Sequence, residues 1–128
     1  MLKLALAVLA GAALGAGATQ MLHAQAKPPA YLVTDITVTD DAKFKAWGER
    51  INPTFEKRGA KYLARGGQTM AVGGSSNGNE LPKRAIVIVF DSLDKAKEWD
   101  SAEDVKAARA IDRGATFRSY IVEGVPAQ

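Results

Sequence analysis

The sequence predicts an α+β domain with the element order β-α-β-β-α-β, a ferredoxin-like sandwich. Two runs rich in β-branched and apolar residues, 31–38 (YLVTDITV) and 84–90 (RAIVIVF), are typical of strands. Apolar residues three and four positions apart, at Phe44, Trp47 and Ile51, indicate a helix with one buried face. Because each β-α-β half requires a right-handed crossover, two halves give four antiparallel strands with both helices on one face.

Start and stop signals mark the first helix. Asp40 and Asp41 follow the first strand and favour a helix N-terminus, and Gly59 favours its end. Pro53 lies inside the apolar pattern, so we expect it to kink or split the helix near residues 51–52.

The remaining elements follow from similar signals. Residues 61–65 are predicted to form the second strand, which 68–72 would extend, and a flexible glycine-rich loop covers 73–80. After the third strand, a helix capped by Ser92 is predicted to end near Trp99. A further helical piece is predicted to begin at Ser101 and to stop by Gly114. The last predicted strand covers 116–123.

The N-terminal segment 1–26 is predicted to be a cleavable signal peptide. Lys3 precedes a Leu/Ala-rich run, 4–18, with the length of a signal hydrophobic region. The tripeptide 24–26 (AQA) has the small-x-small form that a signal peptidase accepts, so we expect cleavage after Ala26 and a periplasmic or secreted protein without a stable membrane anchor. The alternative is a retained anchor, which requires about 20 strongly apolar residues.

Composition limits the chemistry of the predicted domain, residues 27–125, which a short tail, 126–128, follows. The chain has no cysteine, and its one histidine, His23, lies in the predicted signal peptide. Cysteine nucleophiles, Ser-His-Asp arrangements and zinc sites built on thiolate or imidazole are therefore excluded from that domain. We expect no metal and no cofactor. A formal net charge of only +3, without a basic stripe, also predicts no nucleic-acid partner.

The predicted sheet has apolar residues on both faces, although two helices cover only one of them. The run 84–90 is apolar at successive positions, and the first strand carries Val33 on one face and Ile36 on the other. A large apolar face left in water is unusual on a monomer. We therefore expect a homodimer that packs through the uncovered sheet face.

Four segments together resemble the domain-of-unknown-function family 1330 (DUF1330): 30–40 (AYLVTDITVTD), 59–67 (GAKYLARGG), 82–99 (PKRAIVIVFDSLDKAKEW) and 117–125 (FRSYIVEGV). The resemblance implies a ferredoxin-like fold of the dimeric α/β-barrel type, in which two protomers join their sheets. It implies no reaction, because the broader superfamily includes cofactor-free monooxygenases, muconolactone-isomerase-like enzymes, haem-handling proteins and ligand-sensing domains. The export signal and the polar loop 73–80 depart from typical members.

Alternation along the strands selects a candidate ligand site. Lys61 and Arg65 are expected to share a face of the second strand, and Arg118 and Tyr120 a face of the last. If these faces and that of Asp35 on the first strand point into a barrel, Asp35, Arg65, Arg118 and Tyr120 would meet there. Such a cluster would hold a small carboxylate through a guanidinium fork, and Asp35 is a weak candidate for a catalytic base. The alternative is that Asp35 only pairs with an arginine to satisfy a buried charge.

Three functions remain open on the sequence. The favoured one is an exported homodimer that binds a small acidic or aromatic molecule. A metal-free enzyme of the monooxygenase or isomerase type, using Asp, Arg and Tyr, is the second, and a structural or interaction domain without a ligand is the third. Trp47 and Trp99 are expected to be core residues, and a basic set on the last helical piece is expected to be a solvated face: Lys106, Arg109 and Arg113.

Overall fold

The computed structural model describes residues 27–73 and 81–126, within which Pro28–Val125 forms one unit. The predicted signal peptide and most of the predicted glycine-rich loop lie outside the described residues. The elements in chain order are β1 (Ala30–Val38), α1 (Asp41–Glu56), β2 (Lys61–Arg65), β3 (Arg84–Phe90), α2 (Leu93–Ser101), α3 (Glu103–Arg109) and β4 (Ala115–Glu123).

The four strands form one antiparallel sheet in the order β2-β3-β1-β4. β3 therefore lies between β1 and β2, and β1 lies between β3 and β4, so that both β-α-β halves are split. The predicted α+β class is confirmed. Residues 68–72 do not extend β2.

Alternation along the central strands divides the sheet into two faces. In β1, Leu32, Thr34 and Ile36 are buried, whereas Val33 and Asp35, between them, are half-buried. β3 repeats the pattern in register, with buried Ile86, Ile88 and Phe90. We call the buried side the helix face, because it packs with residues of α1 and α2, and the other side the open face.

The centre of the core is a group of aromatic rings between the helix face and the two longer helices. Phe55 of α1 stacks on Trp99 of α2 with ring centroids 4.9 Å apart, and Phe90 of β3 lies 5.6 Å from Trp99. Trp99 is 4% exposed, and its indole N–H donates to Thr54 Oγ1 at 3.0 Å. The buried indole donor is thereby satisfied, as a buried polar group requires.

The first two predicted helix starts are observed, but the third helix begins at Glu103 rather than at Ser101, which ends α2, and no split occurs at Pro53. Asp40 accepts from the Lys43 backbone N–H at 3.1 Å, and Ser92 accepts from that of Lys95 at 3.2 Å. α1 runs uninterrupted from Asp41 to Glu56, so the expectation that Pro53 splits it was wrong. An internal proline costs about 3 kcal/mol. Burial of Ile51 and Phe55 on either side of Pro53 offsets this cost.

Among residues 27–73 and 81–126, no helix has the length and hydropathy needed to cross a membrane.

Candidate functional site

Three of the four residues predicted to form a site lie on the open face. Asp35 of β1 is directly opposite Arg118 of β4, and Tyr120 is opposite Val33. Directly opposed side chains on one face are neighbours, so the structure brings Asp35, Arg118 and Tyr120 together. Within the described residues Asp35 and Arg118 form no ion pair, and neither lines either of the two cavities described below.

Arg65 is on the other face. The β2–β3 register shifts between Tyr62 and Ala64, so that Arg65 is opposite Ile86 on the helix face. The extra residue of this β-bulge reverses the alternation that follows it. The expectation that Lys61 and Arg65 share a face was therefore wrong, and Arg65 cannot meet Asp35 within one chain.

A cavity with a volume of about 510 Å³ lies between the helix face and the helices. β1 and β3 supply one wall, which includes Leu32, Thr34 and Ile86, and α1 and α2 supply the opposite wall. A volume of roughly 300–1,000 Å³ is typical of small-molecule sites.

Two aromatic pairs line this cavity. Phe55 and Trp99 form the stacked pair of the core, with an interplanar angle of 21°. Trp47 of α1 and Phe117 of β4 form an edge-to-face pair, with centroids 4.9 Å apart and an angle of 62°. Both tryptophans of the chain therefore line the cavity, in addition to the core role predicted for them.

Hydroxyl groups and one unpaired N–H add polarity to this apolar lining. Thr34 Oγ1 and Ser119 Oγ form a hydrogen bond across β1 and β4. The Tyr62 hydroxyl donates to Asn52 Oδ1, and burial raises the pKa of Tyr62. The Trp47 indole nitrogen is buried and, among the described residues, has no hydrogen-bond acceptor. An unpaired buried donor of this kind costs about 1–3 kcal/mol.

Two arginines complete the lining. The Arg109 guanidinium lies 4.9 Å from the Trp99 ring and donates from Nη2 to Asp100 Oδ1 at 2.6 Å. The Arg113 guanidinium lies 4.2 Å from the Phe117 ring, and no ion pair is recorded for it within residues 27–73 and 81–126. The expectation of a solvated basic face therefore holds for exposed Lys106 but not for these two residues.

Most of the cavity residues were missed by the sequence analysis. Thr34 carried a usable signal, because it is a polar residue in the buried register of β1 between Leu32 and Ile36. Trp47 and Phe117 carried none, since alternation and helical spacing do not distinguish a cavity wall from a filled core. Within the residues that the structure describes, no group of three or more His, Cys, Asp or Glu side chains could hold a metal ion.

Known proteins that resemble this chain share its α+β fold. The family described as "Domain of unknown function (DUF1330)" matches residues 29–125. A solved structure of RPA0582, a protein of unknown function from Rhodopseudomonas palustris, is 13% identical, with a TM-score of 0.60 over 77% of this chain and 84% of that one. The methylated RPA0582 protein is 12% identical, with a TM-score of 0.57 over 77% and 82% of the two chains. No curated protein matches the chain.

Proposed function

Because the chain belongs to the DUF1330 family, and membership of this family assigns no reaction, we propose a binding function from the geometry of the cavity. The ligand is a small aromatic acid, held between the helix face and the helices of one protomer. The proposal rests on a cavity of about 510 Å³ that is lined by two aromatic pairs and by Arg113, which forms no ion pair within the described residues.

The aromatic pairs select a flat, apolar ligand. Trp47 and Phe117 present one ring edge-on to another, and Phe55 and Trp99 are stacked nearly parallel. An aromatic ligand that extends these contacts gains about 0.5–1.5 kcal/mol for each favourable ring pair beyond the burial of its area. Leu32 and Ile86 add apolar surface without competing hydrogen bonds.

Arg113 selects an acidic group on that ligand. Its Cζ lies 4.2 Å from the centroid of the Phe117 ring, and a guanidinium group stacked on a ring keeps the N–H groups at its edge free to donate to a carboxylate. Charge-assisted hydrogen bonds of this kind are about twice as strong as neutral ones. Arg109 is less suited to the role, because Asp100 already accepts from it.

The unpaired indole N–H of Trp47 also supports a ligand with an oxygen acceptor. This ring lines the cavity, and its nitrogen is buried. A ligand oxygen within reach of it would remove an unfavourable free energy of about 1–3 kcal/mol.

We also propose that the domain acts outside the cytoplasm as a homodimer joined through the open face. Support for the dimer comes from that face, where Tyr120 is 58% and Val122 is 47% exposed beside half-buried Val33 and Val87. Support for export comes from the sequence of segment 1–26 alone. The N-terminal residue of the protein recovered from the cell envelope tests export, and Lys27 is the expected result.

Tryptophan fluorescence tests the ligand proposal directly, because both tryptophans of the chain line the cavity. Titration of the purified protein with benzoate is expected to change the emission saturably, whereas cyclohexanol, which has neither an aromatic ring nor a charge, is expected to change it little. An emission that does not respond to benzoate at millimolar concentration would contradict the proposal.

Substitutions then locate the ligand. Arg113→Gln should weaken benzoate binding about tenfold or more, because one charge-assisted hydrogen bond to the carboxylate is lost. The same variant should bind neutral phenol with nearly unchanged affinity. The matched control is Arg50→Gln, which removes an exposed arginine of α1 that does not line this cavity. Equal benzoate affinity in both variants would remove Arg113 from the site.

A further inference from the structure

We propose that a second cavity, which shares Trp47 with the first, binds a small oxyanion and prefers a doubly charged one such as inorganic phosphate. This cavity has a volume of about 320 Å³ and lies between α1 and the strands β2 and β3. Its lining includes Phe44, Lys45, Glu49, Tyr62, Arg65 and Arg84. The proposal goes beyond the aromatic site and does not depend on it.

The β-bulge of β2 assembles the arginine pair. It places Arg65 opposite Ile86 on the helix face, and Arg84, two residues before Ile86 in β3, is on the same face. The two side chains are thus diagonal neighbours on adjacent strands. Without the bulge, Arg65 would be on the open face and the pair would not exist.

Aromatic rings orient both guanidinium groups. Arg65 Cζ lies 4.3 Å from the centroid of the Tyr62 ring, and Arg84 Cζ lies 5.1 Å from that of Phe44. Stacking occupies the planar face of a guanidinium and leaves the N–H groups at its edge free for an oxyanion. Both arginines are therefore held in place while their donors stay available, which lowers the entropy that binding would cost.

The turn at Gly66, after β2, lies beside the side chain of Arg84. The glycine has a φ of 71°, and a Cβ built on it would lie 3.4 Å from Arg84 Cγ and 3.5 Å from Arg84 Nε. An added Cβ would thus make only ordinary van der Waals contact with the Arg84 stem, which places the turn next to this arginine.

The charges around the cavity favour an anion. Lys45, Arg65 and Arg84 are three cations, and Glu49 is the one carboxylate among the lining residues. No ion pair within 4.0 Å is recorded between Glu49 and any of these cations in the described part of the chain. Two guanidinium groups on one cavity repel each other, and a bound dianion would convert that repulsion into two attractive contacts.

Calorimetric titration with inorganic phosphate tests the proposal on the purified protein, in buffer that contains physiological sodium chloride. Phosphate is expected to bind with an affinity at least tenfold above that of acetate, because two guanidinium groups match two negative charges. Arg65→Gln and Arg84→Gln are each expected to weaken phosphate binding about tenfold, and the double variant should abolish it. Both side chains are exposed, so the folded state should tolerate these changes.

Two further variants separate this site from the aromatic one. Arg50→Gln, the surface control, and Arg113→Gln, the variant of the first cavity, should both bind phosphate like the unchanged protein. Conversely, Arg65→Gln should keep its fluorescence response to benzoate. Phosphate binding that is equal in all variants, or absent from the unchanged protein, would overturn the proposal whatever the result with benzoate.

Discussion

Arg58 holds both carboxylate oxygens of Asp104: its Nη2 donates to Oδ1 at 2.8 Å and its Nη1 to Oδ2 at 3.1 Å. Lys57 Nζ lies 3.1 Å from the same Oδ2. The pair joins the C-terminal end of α1 to the first turn of α3, and the Arg58 side chain is only 15% exposed. This two-point contact fixes the relative position of two helices whose adjacent faces enclose the core.

The pair should make stability depend on pH in the acid range. Hydrogen bonding from Arg58 holds the pKa of Asp104 well below its ordinary value of 3.8. A carboxylate with a lowered pKa in the folded state stabilises the fold above its unfolded pKa, about 3.9, and loses that contribution as the pH falls. Asp104→Asn should therefore lower Tm at pH 6, and its difference from the unchanged protein should shrink steadily below pH 4.

Asp91→Asn is the matched control, because Asp91 is exposed and no ion pair is recorded for it in the described residues. Its Tm difference from the unchanged protein should stay small at every pH. A Tm difference for Asp104→Asn that is the same at pH 6 and pH 2 would show that the ion pair does not contribute.

The Thr54 hydroxyl links two buried groups. It accepts from Trp99 Nε1 at 3.0 Å and donates to the Ile51 carbonyl at 2.6 Å, and Thr54 is 3% exposed. Thr54→Val leaves the indole N–H without an acceptor, so urea unfolding should show a loss of about 1–3 kcal/mol. In a Trp99→Phe background the same change should cost less, by about 0.5 kcal/mol or more. Equal costs in both backgrounds would exclude the coupling.

Gly114 occupies a position that no other residue fits without strain. Its φ is 62°, and an added Cβ would lie 2.5 Å from the Asp40 carbonyl oxygen and 2.7 Å from Lys43 Cβ. Gly114→Ala should destabilise the protein by more than about 2 kcal/mol in urea unfolding, because steric overlap adds to the backbone cost. Gly59→Ala, with a φ of 69° and no atom within 4 Å of the added Cβ, should cost about 1 kcal/mol. Similar costs at the two positions would contradict the role of the overlap.

The proposed dimer can be tested with two exposed valines. Val122 lies on the open face of β4, and Val125 follows the strand at 79% exposure. Val122→Glu would bury a charge in the proposed interface, which should shift the sedimentation coefficient from that of a dimer to that of a monomer at micromolar concentration. Val125→Glu should leave the dimer intact. A monomer in the unchanged protein would refute the proposed dimer itself.

Local signals in the sequence predicted the elements well, because the information lies within a few residues of each boundary. Asp40 and Ser92 cap their helices through their own side chains, so the residue type alone marks the start. The prediction that Pro53 splits α1 was wrong because the outcome there does not depend on nearby residues alone. Its local cost is large, but the burial of Ile51 and Phe55 by distant residues decides the outcome.

The sequence alone determined the family, the α+β class and the order of the strands and helices, since these depend on residue type and on spacing along the chain. Only the tertiary structure decided which side chains form a site. A single bulged residue in β2 moves Arg65 to the helix face, and the contact between Trp47 of α1 and Phe117 of β4 forms part of the cavity wall. Register shifts and the spacing between packed layers are set by contacts between residues far apart in the chain, and no local pattern records them.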